Sequence, residues 1–218
     1  SLFGIDYHVA MVISALVIVA YTALGGFLAA STTDFIQSIV MTLAIFVVII
    51  YGTTTAGGID VVLDNAKSMA GYFSVTSIFN PDTGLAEPYS LLTIASLLAW
   101  GLGYFGMPHI LLRFMAVEKP EKIKLSRRVA TIWVVISMAV SIFIGVAGNA
   151  MIRAGRIESQ NDSERILIAI ATAISKHGVL AALIAGIILA GLLAAIMSTA
   201  DSQMLAASSS VSQNICLL

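Results

Sequence analysis

Five stretches of this chain are each long and apolar enough to cross a bilayer, and that restricts its fold more than any single motif does. A helix needs about 20 apolar residues to span the hydrocarbon core. The approximate segments 8–30, 32–56, 90–116, 128–151 and 178–213 all meet that length. Backbone polar groups in lipid must be satisfied within the segment, so such runs predict helices rather than open sheets. The expected fold is all-α integral membrane, one transmembrane domain over 1–218 with about five helices. Composition agrees: 59% of residues are hydrophobic and 11% are charged, where a soluble domain carries about a quarter. A net charge of −1 with no basic stripe excludes nucleic acid as a partner. The single cysteine, Cys216, excludes an intrachain disulfide and a cysteine-rich metal site. The chain starts at a serine with no basic leader after it, so it is expected to be an internal piece of a longer protein.

The connections set the order and orientation of the spans. "STTD", Ser31 to Asp34, joins the first two and predicts antiparallel neighbours, the second helix starting near a Ser/Thr cap. The segment 57–89 is polar and turn-rich at Asn80 to Gly84, and belongs in water. "SERILIAIATAISKHG", Ser163 to Gly178, is too short to span and predicts a short helix at the surface or tucked between spans. Between Arg113 and Arg128 lie six Lys/Arg, against Lys67 alone in 57–89. That bias puts 113–128 in the cytoplasm, Arg113 with it, and the start of the chain outside. Four basic residues in 152–177 weaken the contrast.

The third span contains "WGLGYFGMPHI", Trp100 to Ile110. Gly101, Gly103, Gly106 and Pro108 together oppose a continuous helix. A break at membrane depth is tolerated where the freed backbone faces protein or a water-filled cavity, the way many secondary transporters build their sites. Trp100 and Tyr104, four residues apart, share a face, with Pro108 one turn on. A kinked packing helix with an interfacial Trp/Tyr pair fits the same residues.

The last span ends "GLLAAIMSTADSQMLAASSS", Gly191 to Ser210, without Lys or Arg. Ala195, Ser198, Thr199 and Ser202 follow i, i+3, i+4, i+7 spacing and form one stripe, which Asp201 borders. Hydroxyls, a carboxylate and free carbonyls are hard oxygen donors that suit a small hard cation. Because Val179 to Met197 already suffices to span, the same residues also fit the wet end of a helix.

Three segments in order, "YTALGGFLAASTTDFIQ" (Tyr21 to Gln37), "WGLGYFGMPHILLRFMA" (Trp100 to Ala116) and "LAAIMSTADSQMLAASSSVS" (Leu193 to Ser212), resemble successive signatures of the sodium:solute symporter family, nearest its proline-transporting branch. The resemblance implies part of a leucine-transporter-like inverted-repeat (5+5) fold, in which these spans are the fourth to eighth core helices. The first core helix and those after Leu218 are outside the chain. It implies a multi-pass carrier of the cell membrane, such as a bacterial inner membrane. That carrier takes up a small amino acid, proline favoured, with sodium by alternating access, and has no cofactor beyond sodium as coupling ion.

Residue by residue, the resemblance points to the Ala195 carbonyl and the Ser198 and Thr199 hydroxyls for the principal sodium site. Asp34, Ser198, Asp201 and Ser202 match a second sodium site found in some members. Trp100, Tyr104 and Pro108 match the substrate wall. No residue is expected to do covalent chemistry, and no G-x-x-x-x-G-K-[ST] supports an ATP-driven pump. His8, His109 and His177 are scattered along the chain. A symporter for another organic solute, the symporter-like membrane part of a sensor, and a channel are the alternatives; hydroxyls gathered on one helix face speak against a continuous pore.

Overall fold

The computed structural model describes residues 6–80, 82–104, 106–160 and 162–216. In chain order the elements are α1 (Tyr7–Ala56), α2 (Ile59–Ser68), β1 (Ser77–Phe79), β2 (Ala86–Pro88), α3 (Leu91–Tyr104), α4 (Pro108–Met115), α5 (Pro120–Arg153), a 3-10 turn (Ser163–Arg165), α6 (Ile166–Ser175), α7 (Val179–Val211) and a π-helical turn (Ser212–Cys216). Among the described residues four helical stretches are long and apolar enough to cross a membrane: His8–Ala56, Leu91–Met115, Pro120–Arg153 and Val179–Asn214. The chain is an all-α membrane protein apart from one small hairpin.

The count is four because the first two expected spans form one helical element. The turn expected at Ser31 to Asp34 is absent, since all four residues are helical. Their hydroxyls are accommodated inside the helix: Thr32 donates to the Leu28 carbonyl at 2.8 Å and Thr33 to that of Ala29 at 3.0 Å. The backbone breaks instead at Gly26, with φ 55° and ψ −148°. That conformation is open to glycine and strained for any residue with a Cβ.

The chain divides into two compact units. The first comprises 6–41, 107–117 and 190–216, and the second 42–106 and 118–189. In the second unit, Ala44, Val48 and Ala56 of α1 pack with Ile144, Ala147, Ala150 and Met151 of α5, with Ile170 and Ile174 of α6, and with Ile188 of α7. Gly148 allows the close approach of α6, because a Cβ there would lie 2.3 Å from Ile166 Cγ1.

The polar segment after α1 holds more structure than its composition suggested. Val62 and Ala66, four apart on α2, are fully buried with Met69 close to it. Asn65 Nδ2 donates to Asn149 Oδ1 at 2.9 Å, fixing α2 to α5. The turn-rich stretch closes an antiparallel hairpin in which Ser77, Ile78 and Phe79 face Pro88, Glu87 and Ala86. The short segment at 163–178 forms the 3-10 turn and α6, and its apolar face is buried rather than surface-lying. α5 starts at Pro120, earlier than the expected 128, so Lys122, Lys124, Arg127 and Arg128 stand on its first turns.

Candidate ion-binding site

Within the first unit, α1, α4 and α7 bring one set of polar side chains together. Asp201 of α7 is fully buried and Ser202 is 8% exposed, although both follow a run of pure hydrocarbon. Burying a carboxylate without partners costs several kcal/mol, so its hydrogen bonds must be accounted for. The Tyr21 hydroxyl on α1 donates to Asp201 Oδ2 at 2.9 Å. The Ser202 hydroxyl lies 3.3 Å from Asp201 Oδ1 and 3.0 Å from the Ser198 carbonyl. The wet helix end that the sequence also allowed does not describe these two residues.

Asp34 sits on α1 beyond the Gly26 break, with its side chain 10% exposed. Arg113 of α4 reaches it: one guanidinium nitrogen donates both to Asp34 Oδ2 and to the Ser202 hydroxyl. The sequence expectation that Arg113 points away with the basic residues after it is therefore corrected. Pro108 opens α4 with its fixed φ, and Arg113 follows in the last turn of this eight-residue helix. A small recess is lined by Phe27, Asp34, His109, Arg113, Ser202 and Leu205, among others.

The network thus runs from Tyr21 through Asp201, Ser202 and Arg113 to Asp34. It holds two carboxylates and one guanidinium, so with both acids ionised a negative charge is left over. Asp34 Oδ1 is buried and has no hydrogen-bond partner among the described residues. A buried carboxylate oxygen of this kind normally has one. A small cation would satisfy both the surplus charge and the free oxygen.

One turn earlier on α7, the Ser198 and Thr199 hydroxyls each lie 3.2 Å from the Ala195 carbonyl. Both hydroxyls donate back along their own helix, as Thr32 and Thr33 do on α1. Of the second-site residues matched in the sequence, Asp34, Asp201 and Ser202 join one network through Arg113. Ser198 is tied to it through its carbonyl.

The expected substrate residues divide between the units. In the second unit, Trp100 and Tyr104 occupy the end of α3 with ring centroids 6.1 Å apart. They are 71% and 51% exposed, and no residue of α3 is buried. The helix ends at Tyr104, and the Gly106 N–H turns back to the Gly103 carbonyl at 3.1 Å. Pro108 belongs to the first unit, so the three residues are not one wall within either unit.

One member of the polar network escaped sequence reasoning: Tyr21 stands out only as a lone phenol in a hydrocarbon run. Arg113 is the one basic residue near enough in sequence to pair with the acids, but its place beside a basic loop assigned it to the cytoplasm. Of the histidines, His109 lines the recess beside Arg113. His177 packs edge-on to Tyr51 in the second unit, with centroids 5.8 Å apart.

Among the described residues, four helical stretches long and apolar enough to cross a bilayer define a multi-pass helical membrane protein. The chain belongs to the sodium:solute symporter family, whose model matches residues 1–217. That family consists of transporters and not enzymes. The chain is 33% identical over 214 residues to sodium/proline symporters of Staphylococcus aureus strains USA300 / TCH1516, USA300 and JH9. Each alignment covers 98% of this chain and 39% of the relative, so the chain spans about two fifths of the length of the curated relatives it matches. No solved structure matches it.

Proposed function

We propose that the protein containing this chain is a sodium-coupled symporter of the cell membrane that takes up a small amino acid, proline first among them. The observation that carries this reading is the buried acidic centre of Asp34, Asp201 and Ser202, with a carboxylate oxygen left unpartnered in a chain of this family. A buried, unpaired oxygen and a surplus negative charge suit a small hard cation as co-substrate. The names of the Staphylococcus aureus relatives favour proline as the solute.

In this reading the inverted-repeat (5+5) arrangement supplies the frame, and this chain contributes its fourth to eighth core helices. The Ala195 carbonyl and the Ser198 and Thr199 hydroxyls contribute to the principal sodium site, with the remaining ligands from a helix outside the chain. Asp34, Ser198, Asp201 and Ser202 form the second cation position. Trp100 and Tyr104, side by side at a helix break, offer aromatic faces to an apolar pyrrolidine ring, and Pro108 fixes the restart of the helix. Sodium favours the conformation open to the outside, solute fills the site, and both leave after the transition inward. Such coupling needs only that each ligand bind one conformation better than the other.

The test is uptake of radiolabelled proline by the full-length protein in proteoliposomes. Saturable uptake driven by an inward sodium gradient, and abolished when choline replaces sodium, supports the proposal. Sodium-dependent uptake of another solute with none of proline would transfer the reading to that solute. Uptake that neither saturates nor depends on sodium would sink it.

A further inference from the structure

We propose that Arg113 is a built-in competitor of the coupling cation: its guanidinium occupies the acidic centre of Asp34, Asp201 and Ser202, and a cation entering there must displace it from Asp34. This rests on reading that centre as a cation site.

The geometry supplies the first argument. A single guanidinium nitrogen bridges Asp34 Oδ2 on α1 and the Ser202 hydroxyl on α7. These are two oxygens from different helices, the pair that a cation would itself draw together. Arg113 thus already makes the bridge, as a cation tethered to the chain.

The carboxylate is also incompletely satisfied by this partner, since Asp34 Oδ1 stays buried and without a partner among the described residues. An ion pair selected for stability alone would engage both oxygens in the fork geometry that arginine favours. Here the contact is one-sided, and the other oxygen remains available.

The two sides of the contact are unequally held. The Asp34 side chain is 10% exposed and that of Arg113 is 49% exposed. Arg113 projects from α4, a helix with no buried residue that restarts at Pro108 after the backbone break. Arg113 is therefore the more open partner, whereas Asp34 sits in a long helix and Asp201 is fully buried. Displacement therefore moves the arginine and leaves the acids in place.

A prop and a competitor predict opposite signs. If Arg113 only props the centre, deleting its charge loosens Asp34 and weakens cation binding. If it competes, deleting the charge removes a like-charge repulsion and strengthens binding.

The experiment is sodium-22 binding to the full-length protein in detergent, comparing the parent with Arg113→Gln, Arg113→Lys, Arg113→Ala and Asp34→Asn. Arg113→Gln should bind sodium about two- to fivefold more tightly, the scale of a partly exposed ion pair. Arg113→Lys, which keeps the charge, should stay close to the parent, and Asp34→Asn should bind more weakly. Millimolar guanidinium added to Arg113→Ala should compete with sodium and restore the parent affinity, while leaving the parent itself unaffected. Sodium affinity unchanged or reduced in Arg113→Gln, with Asp34→Asn still impaired, overturns the competitor and leaves the cation site standing. Affinity unchanged in both Arg113→Gln and Asp34→Asn removes the cation site and the competitor together.

Discussion

The hydroxyl of Tyr21 donates to Asp201 Oδ2 at 2.9 Å and so ties the first helix to the last across 180 residues of chain. Asp201 is fully buried, and its other hydrogen bond comes from the adjacent Ser202 at a longer 3.3 Å. Removing one donor from a buried carboxylate leaves its desolvation cost in place and takes away the compensation.

Tyr21→Phe should therefore lower the stability of the full-length protein by about 1–3 kcal/mol in sodium-free detergent. If Asp201 takes part in cation binding, saturating sodium should restore much of the loss by binding the folded state. Thermal unfolding with sodium, and with choline as control, measures both effects. An unchanged midpoint in choline would mean that the hydrogen bond contributes nothing net.

A second expectation concerns the oxygens one turn earlier on α7. The Ser198 and Thr199 hydroxyls both donate to the Ala195 carbonyl at 3.2 Å, and a sodium ion in the proposed principal site would take the place of these bonds. Ser198→Ala and Thr199→Ala should each raise the sodium concentration for half-maximal uptake by about tenfold or more, the effect of losing a hydrogen bond to a charged group. Thr199→Ser, which keeps the oxygen, should stay near the parent. Equal sodium dependence in all three variants would return these hydroxyls to the role of helix-capped surface groups.

The aromatic pair gives a third. Trp100 and Tyr104 stand side by side at the end of α3, their ring centroids 6.1 Å apart. Replacing either by alanine should raise the half-saturation for proline by about tenfold, as loss of a stacking face does, and change sodium dependence less. Substrate binding at saturating sodium is the measurement, and unaltered binding in both variants would remove them from the pocket.

What the sequence revealed and what it concealed follow from the range of the forces involved. Hydrocarbon length is a local property, so the apolar runs of α3, α5 and α7 could be found without coordinates. The break between Trp100 and Ile110 was equally legible, because three glycines and a proline act on the backbone where they stand. The joint of the first two spans was misjudged at Ser31 to Asp34, since threonines that bond back to i−4 carbonyls fit inside a helix. Gly26, the residue that does break it, looked like any small residue in an apolar run. The acids of the candidate centre stood out by their cost in lipid. Tyr21 did not, because it reaches Asp201 across a long stretch of chain, and Arg113 was assigned to the basic loop that follows it. Helix α2 was hidden for a related reason: its buried face consists of Val62 and Ala66 in an otherwise polar segment.

Orientation can be checked independently of transport. With Arg113 engaged by Asp34, five basic residues from Lys119 to Arg128 remain, and the positive-inside rule predicts that their segment lies inside. In a Cys216→Ser background of the full-length protein, a cysteine at Lys122 should react with an impermeant thiol reagent only from the cytoplasmic side. One at Asp82, in the turn of the β1–β2 hairpin, should react from outside. The reverse pattern would invert the topology.

Two glycines, Gly26 and Gly148, should respond to the same substitution for different reasons. At Gly26 a Cβ would meet nothing within 4 Å, so Gly26→Ala faces only the strain of φ 55° and ψ −148°. That strain is about 1–3 kcal/mol, and trimming neighbouring side chains cannot relieve it. At Gly148 the backbone is ordinary helix, and a Cβ would lie 2.3 Å from Ile166 Cγ1 and 2.7 Å from its Cδ1. Gly148→Ala should cost about 1–3 kcal/mol through overpacking of α5 against α6. Adding Ile166→Ala should recover part of it, because the methyl then occupies the vacated space. The double variant should accordingly be more stable than the sum of the two single effects predicts, a coupling expected only between residues in contact. Thermal unfolding of the full-length protein in detergent, with all four variants in parallel, reads this directly. Strict additivity at Gly148 and Ile166 would mean that α6 shifts away freely and that the close approach is not a constraint.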